Sequence, residues 1–234
     1  MPHRALALPR SPSWLPITIV ASIAGILYSS WPLGYSLNPV ANRGLASNLE
    51  ASGQPYNWLF TLLDITSGLL VTVVAYGLYK RQYGRRNSWW IVGAVVGLAM
   101  FGLLSMLDAV LPIDCVAPAQ ICKPVFQDPY VVIHGIASIG SVNGLTISIV
   151  CLWWVLIRER RVAGRIRWLL HSVLVIWFGF GLGTAELIYR NKSSAISQHV
   201  FIVVCSLWIA AMPYLVQRSL VLQPARSRAA GLQN

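Results

Sequence analysis

The chain has 234 residues, 56% of them hydrophobic and only 11% charged, with a formal net charge of +11. Soluble domains carry about 25% charged residues, so this composition excludes an ordinary water-soluble fold and points to a polytopic membrane protein. The positive charge does not argue for nucleic-acid binding, because the basic residues sit in short loops between apolar runs, where they serve orientation.

Six apolar runs reach the roughly 20 residues of helix that cross a bilayer: 14–33, 57–79, 88–112, 130–157, 167–189 and 196–216. The expected fold class is therefore all-α, a bundle of six transmembrane helices forming one domain over residues 1–221, with a disordered tail at 222–234. The first run follows Arg4 and Arg10, as a secretory signal would. It continues through Ile17, Ile23, Ile26 and Leu27 to Trp31 without a convincing small-x-small cleavage site, beyond the roughly 7–15 apolar residues of such signals. An uncleaved first helix is expected.

The connection at 34–56 is rich in Asn, Ser, Gly and Pro, with one short amphipathic helix expected around Leu45 to Ala51. It reads either as a plain connector or as a lid over a cavity, since loops of this length are often functional. The second span carries Asp64 on a face shared with Ser67, Gly68 and Thr72. The third has Gly93 and Gly97 at small-xxx-small spacing, which permits close helix approach, and ends with Asp108 on the side of Ser105.

Between the third and fourth spans lie Asp114, Cys115 and Cys122. In an oxidising exterior the two cysteines are expected to close a short disulfide loop. Zinc binding fits their spacing less well. The fourth span aligns His134, Ser138, Ser141 and Ser148 on one face, away from Ile136, Ile139 and Leu152. The fifth puts Gly179, Gly183 and Glu186 on one stripe and carries His171 near its start, which reads as an interfacial histidine; the sixth aligns His199 with Ser206, Ala210 and Pro213. Cys151 and Cys205 lie within helices and read as packing residues.

Lys and Arg concentrate in alternate connections. Fourteen of the 18 fall at the N-terminus, near 80–86, near 158–167 and in the tail, leaving Arg43, Lys123, Arg190 and Lys192 on the other side. The positive-inside rule then places both termini in the cytoplasm of a multi-pass protein of the cytoplasmic membrane. On that orientation Asp64, Asp108, Glu186, His134 and His199 all lie within one or two turns of the outer helix ends. Ionisable groups are expensive at membrane depth and usually turn inward and find partners. An outward-facing pocket is therefore expected from Asp64, Asp108, Asp114, His134, Ser138, Glu186 and His199. The plainer reading remains beside it: each carboxylate satisfied separately by a neighbouring His, Arg or hydroxyl, with Glu186 meeting Arg190 one turn on.

Asn38-Pro39, then Leu49 to Tyr56, Trp58, Phe60 and Asp64, then Asp108, Pro112, Asp114, Cys115 and His134 form a series over nearly the whole chain. It resembles a six-helix prokaryotic membrane family catalogued as domain-of-unknown-function family 998. The resemblance implies a prokaryotic cytoplasmic membrane and six helices, and brings no activity with it. A weaker likeness is to the seven-helix ceramidase and adiponectin-receptor-type hydrolases, but the chain lacks their paired His-x-x-x-His and seventh helix.

No phosphate loop, HExxH pair, nucleophile elbow or Cys-x-x-Cys pair is present. The expected function is binding of a small molecule or lipid headgroup, in a binding, sensing or accessory role, with membrane lipids as the surroundings. One alternative is an intramembrane hydrolase or transferase acting on a lipid, using Asp64, Asp108, His134 and His199 as metal ligands or as acid and base. The other is a proton-coupled transporter using the same residues as a relay. No cofactor is called for, and a metal at those four residues has no support from spacing.

Overall fold

The computed structural model describes residues 13–82, 89–111, 129–158, 164–189 and 195–221. They form α1 (Leu15–Tyr28), α2 (Gly34–Leu37), α3 (Asn57–Gln82), α4 (Trp89–Val110), α5 (Pro129–Arg158), α6 (Gly164–Tyr189) and α7 (Ala195–Val221), with no strand among the described residues. Helix is the expected outcome for apolar runs of this length, because it satisfies every backbone N–H and C=O within the segment. Among the described residues, five stretches are long and apolar enough to cross a membrane: Leu15–Leu37, Asn57–Gln82, Trp89–Val110, Pro129–Ile157 and Ile196–Gln217. Within α6 the described apolar stretch is Arg167–Gly183. The first run is not one straight helix. It breaks after Tyr28 and resumes as a 3-10 turn at Trp31–Leu33 and then α2.

The helices pack in a circuit. Helix α4 lies between α3 and α5, α1 between α3 and α7, and α6 rests on α7, with lighter contacts from α5 to α6 and α7. Two glycine pairs set the closest approaches. A Cβ on Gly68 would meet the carbonyl oxygen of Gly102 at 2.6 Å, and one on Gly102 would meet that of Gly68 at 2.7 Å. Gly97, one of the expected packing glycines, faces Gly144 of α5 in the same reciprocal way, while Gly93 abuts Cys151. Small residues matter here because lipid tails are as apolar as Leu, so backbone proximity rather than hydrophobic drive holds such helices together. The core between them contains Val71, Leu98, Phe101, Leu145, Ile209 and Met212, all fully buried. Polar crosslinks add to it: the Ser67 hydroxyl donates to the Ala24 carbonyl at 2.9 Å, and the Trp208 indole donates to Ser148 Oγ at 3.3 Å.

Exposed aromatics collect toward both ends. Tyr35, Tyr56, Trp58 and Tyr130 lie at the end where α3 and α5 begin, and Tyr79, Trp89, Trp90 and Trp168 at the other. This is the distribution of residues that settle at the two membrane interfaces. His171 belongs to the second group, edge-on to Trp153 at 5.5 Å and Trp168 at 6.3 Å.

Several expectations are corrected. Leu152, expected off the packed face of α5, is fully buried. The expected stripe of α6 divides: a Cβ on Gly179 would meet nothing within 4 Å, whereas one on Gly183 would lie 3.6 Å from Ser197 Oγ of α7, and α6 also packs through Trp177 and Gly181 against Phe201. A helix with aromatics on several faces docks by its bulkiest complementary pair, which small-residue spacing does not reveal. Cys115, Cys122 and Asp114 lie outside the described residues, as does the tail at 222–234, and so does the side chain of Glu186. The expected disulfide gains no support: among the described residues Cys151 and Cys205 are both free.

Candidate functional site

The connection between α2 and α3 is folded, and it builds one wall of the site. Asn38 caps the turn at Ala41 by accepting from its N–H at 3.2 Å and ties down the far strand of the loop by donating to Gln54 Oε1 at 3.0 Å. The short helix expected around Leu45 to Ala51 is present as a 3-10 turn, Ala46–Leu49. Leu49 and Ala41 bury against Phe60 of α3, with Trp31 and Leu37 packed alongside. The chain reverses at Gly53 and Tyr56, at φ 78° and 60°. Glycine takes such a value freely, whereas for Tyr56 it is strained backbone held by its surroundings. Residues 38–56 thus form a folded cap on the start of α3.

Burying Leu49 carries its neighbour Glu50 to the inner side of the cap. There its carboxyl hydrogen-bonds with Asp64 of α3. Two carboxyls can bond this way only through a shared proton. Burial, then the charge of Asp64 and this hydrogen bond, then the charge of Asp108, hold the Glu50 carboxyl well above its ordinary value of 4.5. Glu50 is therefore the partner that keeps the proton and donates it. A second tether closes the cap from the other side: Gln198 of α7 accepts from the Ala46 N–H at 2.6 Å.

Across the site, α5 grips the end of α4. His134 and Ser138, four residues apart on one helical face, both reach Asp108. His134 Nδ1 lies 3.1 Å from Asp108 Oδ1 and 3.1 Å from its carbonyl oxygen. The Ser138 hydroxyl donates to Oδ1 at 2.6 Å, and Ser141 donates to the Ser138 carbonyl at 2.8 Å.

Between these groups lies a cavity of about 130 Å³. A buried water needs only about 10–15 Å³ measured in this way, so there is room for several waters or a small molecule. Glu50, Asp64 and Asp108 line it together with Tyr28, Ser138 and Ser141, while Trp31, Phe60 and Phe201 supply apolar wall and Gln198 a further polar group. Among the described residues no Lys, Arg or His lines it. Of the chain's seven acidic residues, three therefore meet in one small space with no basic side chain on its wall.

The sequence-expected residues are distributed as follows. Asp64, Asp108 and Ser138 share the cavity, and His134 stands behind Asp108. His199 does not join them. Its ring stacks on the Trp31 indole at 3.9 Å between centroids and 3° between planes, it is only 4% exposed, and its Nε2 has no hydrogen-bond partner among the described residues. Glu50 was overlooked, because a lone Glu in a polar loop looks solvated. The available signal was its place directly after Leu49, the one buried apolar side chain of a 3-10 turn.

A metal held by Asp64, Asp108, His134 and His199 does not fit this arrangement. Among the described residues no three His, Cys, Asp or Glu side chains are grouped as ligands. His134 spends Nδ1 on Asp108, and His199 is turned onto Trp31. What the site offers chemically is hydrogen-bond acceptance, negative charge and a shared proton.

No curated protein and no solved structure matches the chain. A family profile does, over residues 17–213, a range that holds every residue of the cap and cavity, and the chain belongs to that family, described as Protein of unknown function (DUF998).

Proposed function

We propose that the protein is a six-span protein of the cytoplasmic membrane, with both termini cytoplasmic, whose cap-covered cavity at the outer helix ends binds a small molecule or a lipid headgroup in a binding, sensing or accessory role. The observation that carries the reading is the cavity itself: three carboxyls, four serines and a tyrosine line about 130 Å³ beneath a folded cap. Polar groups that serve only to satisfy one another close up around their hydrogen bonds. Here they border open space, with aromatic walls of the kind that line small-molecule sites. The sixth span is α6, and the concentration of Lys and Arg at the end opposite the cavity supports the orientation.

Native mass spectrometry of protein purified in mild detergent tests this. A bound species is expected on the native chain and lost from Ser141→Trp, which fills the cavity. An empty native cavity, with no stabilising compound in a thermal-shift screen of small metabolites and lipid headgroups, overturns the reading.

A second reading, proton-coupled transport, is favoured by the shared proton of Glu50 and Asp64 and by the hydrogen bonds that join His134 and Ser138 through the Asp108 carboxylate. Solute accumulation driven by a pH gradient in proteoliposomes separates it from simple binding.

A further inference from the structure

Among the described residues, the cap meets the bundle through apolar and polar contacts, and one of them is chargeable. Its apolar anchor is small: Ala41 and Leu49 against Phe60. Its polar anchors include the Ala46 N–H on Gln198 Oε1 and the Glu50 carboxyl on Asp64. The first is indifferent to pH. The second exists only while one proton remains between the two carboxyls, since two ionised carboxylates at hydrogen-bond distance repel.

We propose that the cap is a gate over the cavity, latched shut by the proton that Glu50 shares with Asp64 and released when that proton is lost to solvent. In the closed state Glu50 is the donor and Asp64 the acceptor. Loss of the proton leaves two carboxylates on a cavity wall that already holds a third, Asp108, and lacks any basic side chain among the described residues. The strain is relieved by the partner that is free to move. Asp64 is fixed in the interior of α3, whose next turn is bonded to α1 through Ser67. Glu50 sits on the cap and moves outward with it into water.

The charged and titratable surroundings of Glu50 favour this direction. From α3 it faces Asp64, from α4 Asp108, and from α1 the phenol of Tyr28. Helix α5 presents the neutral Ser138 and Ser141, and its His134 is committed to Asp108 on the far side of that carboxyl. Helix α7 presents the neutral Gln198, with His199 stacked on Trp31. The cap's own cation, Arg43, belongs to the 3-10 turn Ala41–Arg43 and does not line the cavity. Among the described residues, no group lining the cavity on the bundle side is a Lys, Arg or His that would hold an ionised Glu50 in place.

The gate rests on the cavity being a site, yet it is tested without any ligand, so the two ideas fail separately. The experiment is hydrogen–deuterium exchange with mass spectrometry on the full chain in lipid nanodiscs, following residues 45–51 between pH 5 and pH 9 and dividing out the intrinsic exchange rate at each pH. In the native chain, protection is expected to fall as pH rises, by up to about tenfold per pH unit, the slope produced when one proton separates the closed and open states. Glu50→Gln, which keeps a donor to Asp64 without an ionisable proton, is expected to stay protected throughout. Asp64→Asn tests the same repulsion from the other side if the first variant is poorly folded. Protection in the native chain that does not change with pH overturns the gate, as does a fall that persists undiminished in both variants. A ligand-free cavity beneath a cap that still opens with pH would sink the binding reading alone.

Discussion

His134 reaches from α5 to the end of α4 and sets Nδ1 3.1 Å from both Oδ1 and the main-chain carbonyl of Asp108. One imidazole thus ties down a side chain and the last turn of the helix that bears it. Ser138, one turn along, bonds the same carboxylate oxygen at 2.6 Å. Replacing Asp108 by Ala removes the acceptor of the Ser138 hydroxyl and leaves His134 Nδ1 only the main-chain carbonyl, and a buried polar group left unsatisfied costs about 1–3 kcal/mol. Asp108→Ala should lower the melting temperature in detergent clearly more than Ser138→Ala. Because the three residues form one network, the losses in the Asp108→Ala/Ser138→Ala double variant should sum to less than the two single losses.

Glu50 gives stability a definite pH dependence. Its folded-state value is raised, so its contribution is fully present below the ordinary 4.5 and is lost as pH rises through the raised value. Native protein should therefore melt progressively lower than Glu50→Gln as pH increases, and the two curves should converge on the acid side. A gap that widens toward low pH would contradict the assignment of Glu50 as the proton-holding partner.

Gly97 and Gly144 leave no room for a side chain where α4 crosses α5. Overpacking a closed interface costs about 1–3 kcal/mol. Gly97→Leu should reduce folded yield in size-exclusion chromatography. Gly179→Leu, on the open face of α6, should be tolerated.

Gln198 holds the cap from α7 through a single bond to Ala46. Its removal in Gln198→Ala should cost about 0.5–1.5 kcal/mol and, by the same free energy, speed exchange of the Ala46 amide by about 2–12-fold. The change should be independent of pH wherever the cap is closed, since neither partner ionises.

The orientation argued from the basic residues predicts that a reporter fused after Asn234 acts as cytoplasmic. External activity of that fusion would mean a different number of spans.

Much of the molecule was legible locally. Apolar length and the scarcity of charge determined that the chain is a helical membrane protein, because in hydrocarbon each segment must satisfy its own backbone. Four-residue spacing on α5 determined that His134 and Ser138 act together, and Gly97 announced a close helix crossing. What the sequence could not decide was which polar groups meet. Asp64 and Asp108 join because α3 packs on α4, whereas His199 is taken by an indole from the broken end of the first apolar run. Glu50 enters the cavity only because Leu49 finds Phe60, a residue beyond the turn at Gly53 and Tyr56. Hydropathy and helical period are properties of neighbours in the chain. The cap, its proton and the space beneath it depend on contacts between distant segments, and these exist only once the helices have packed.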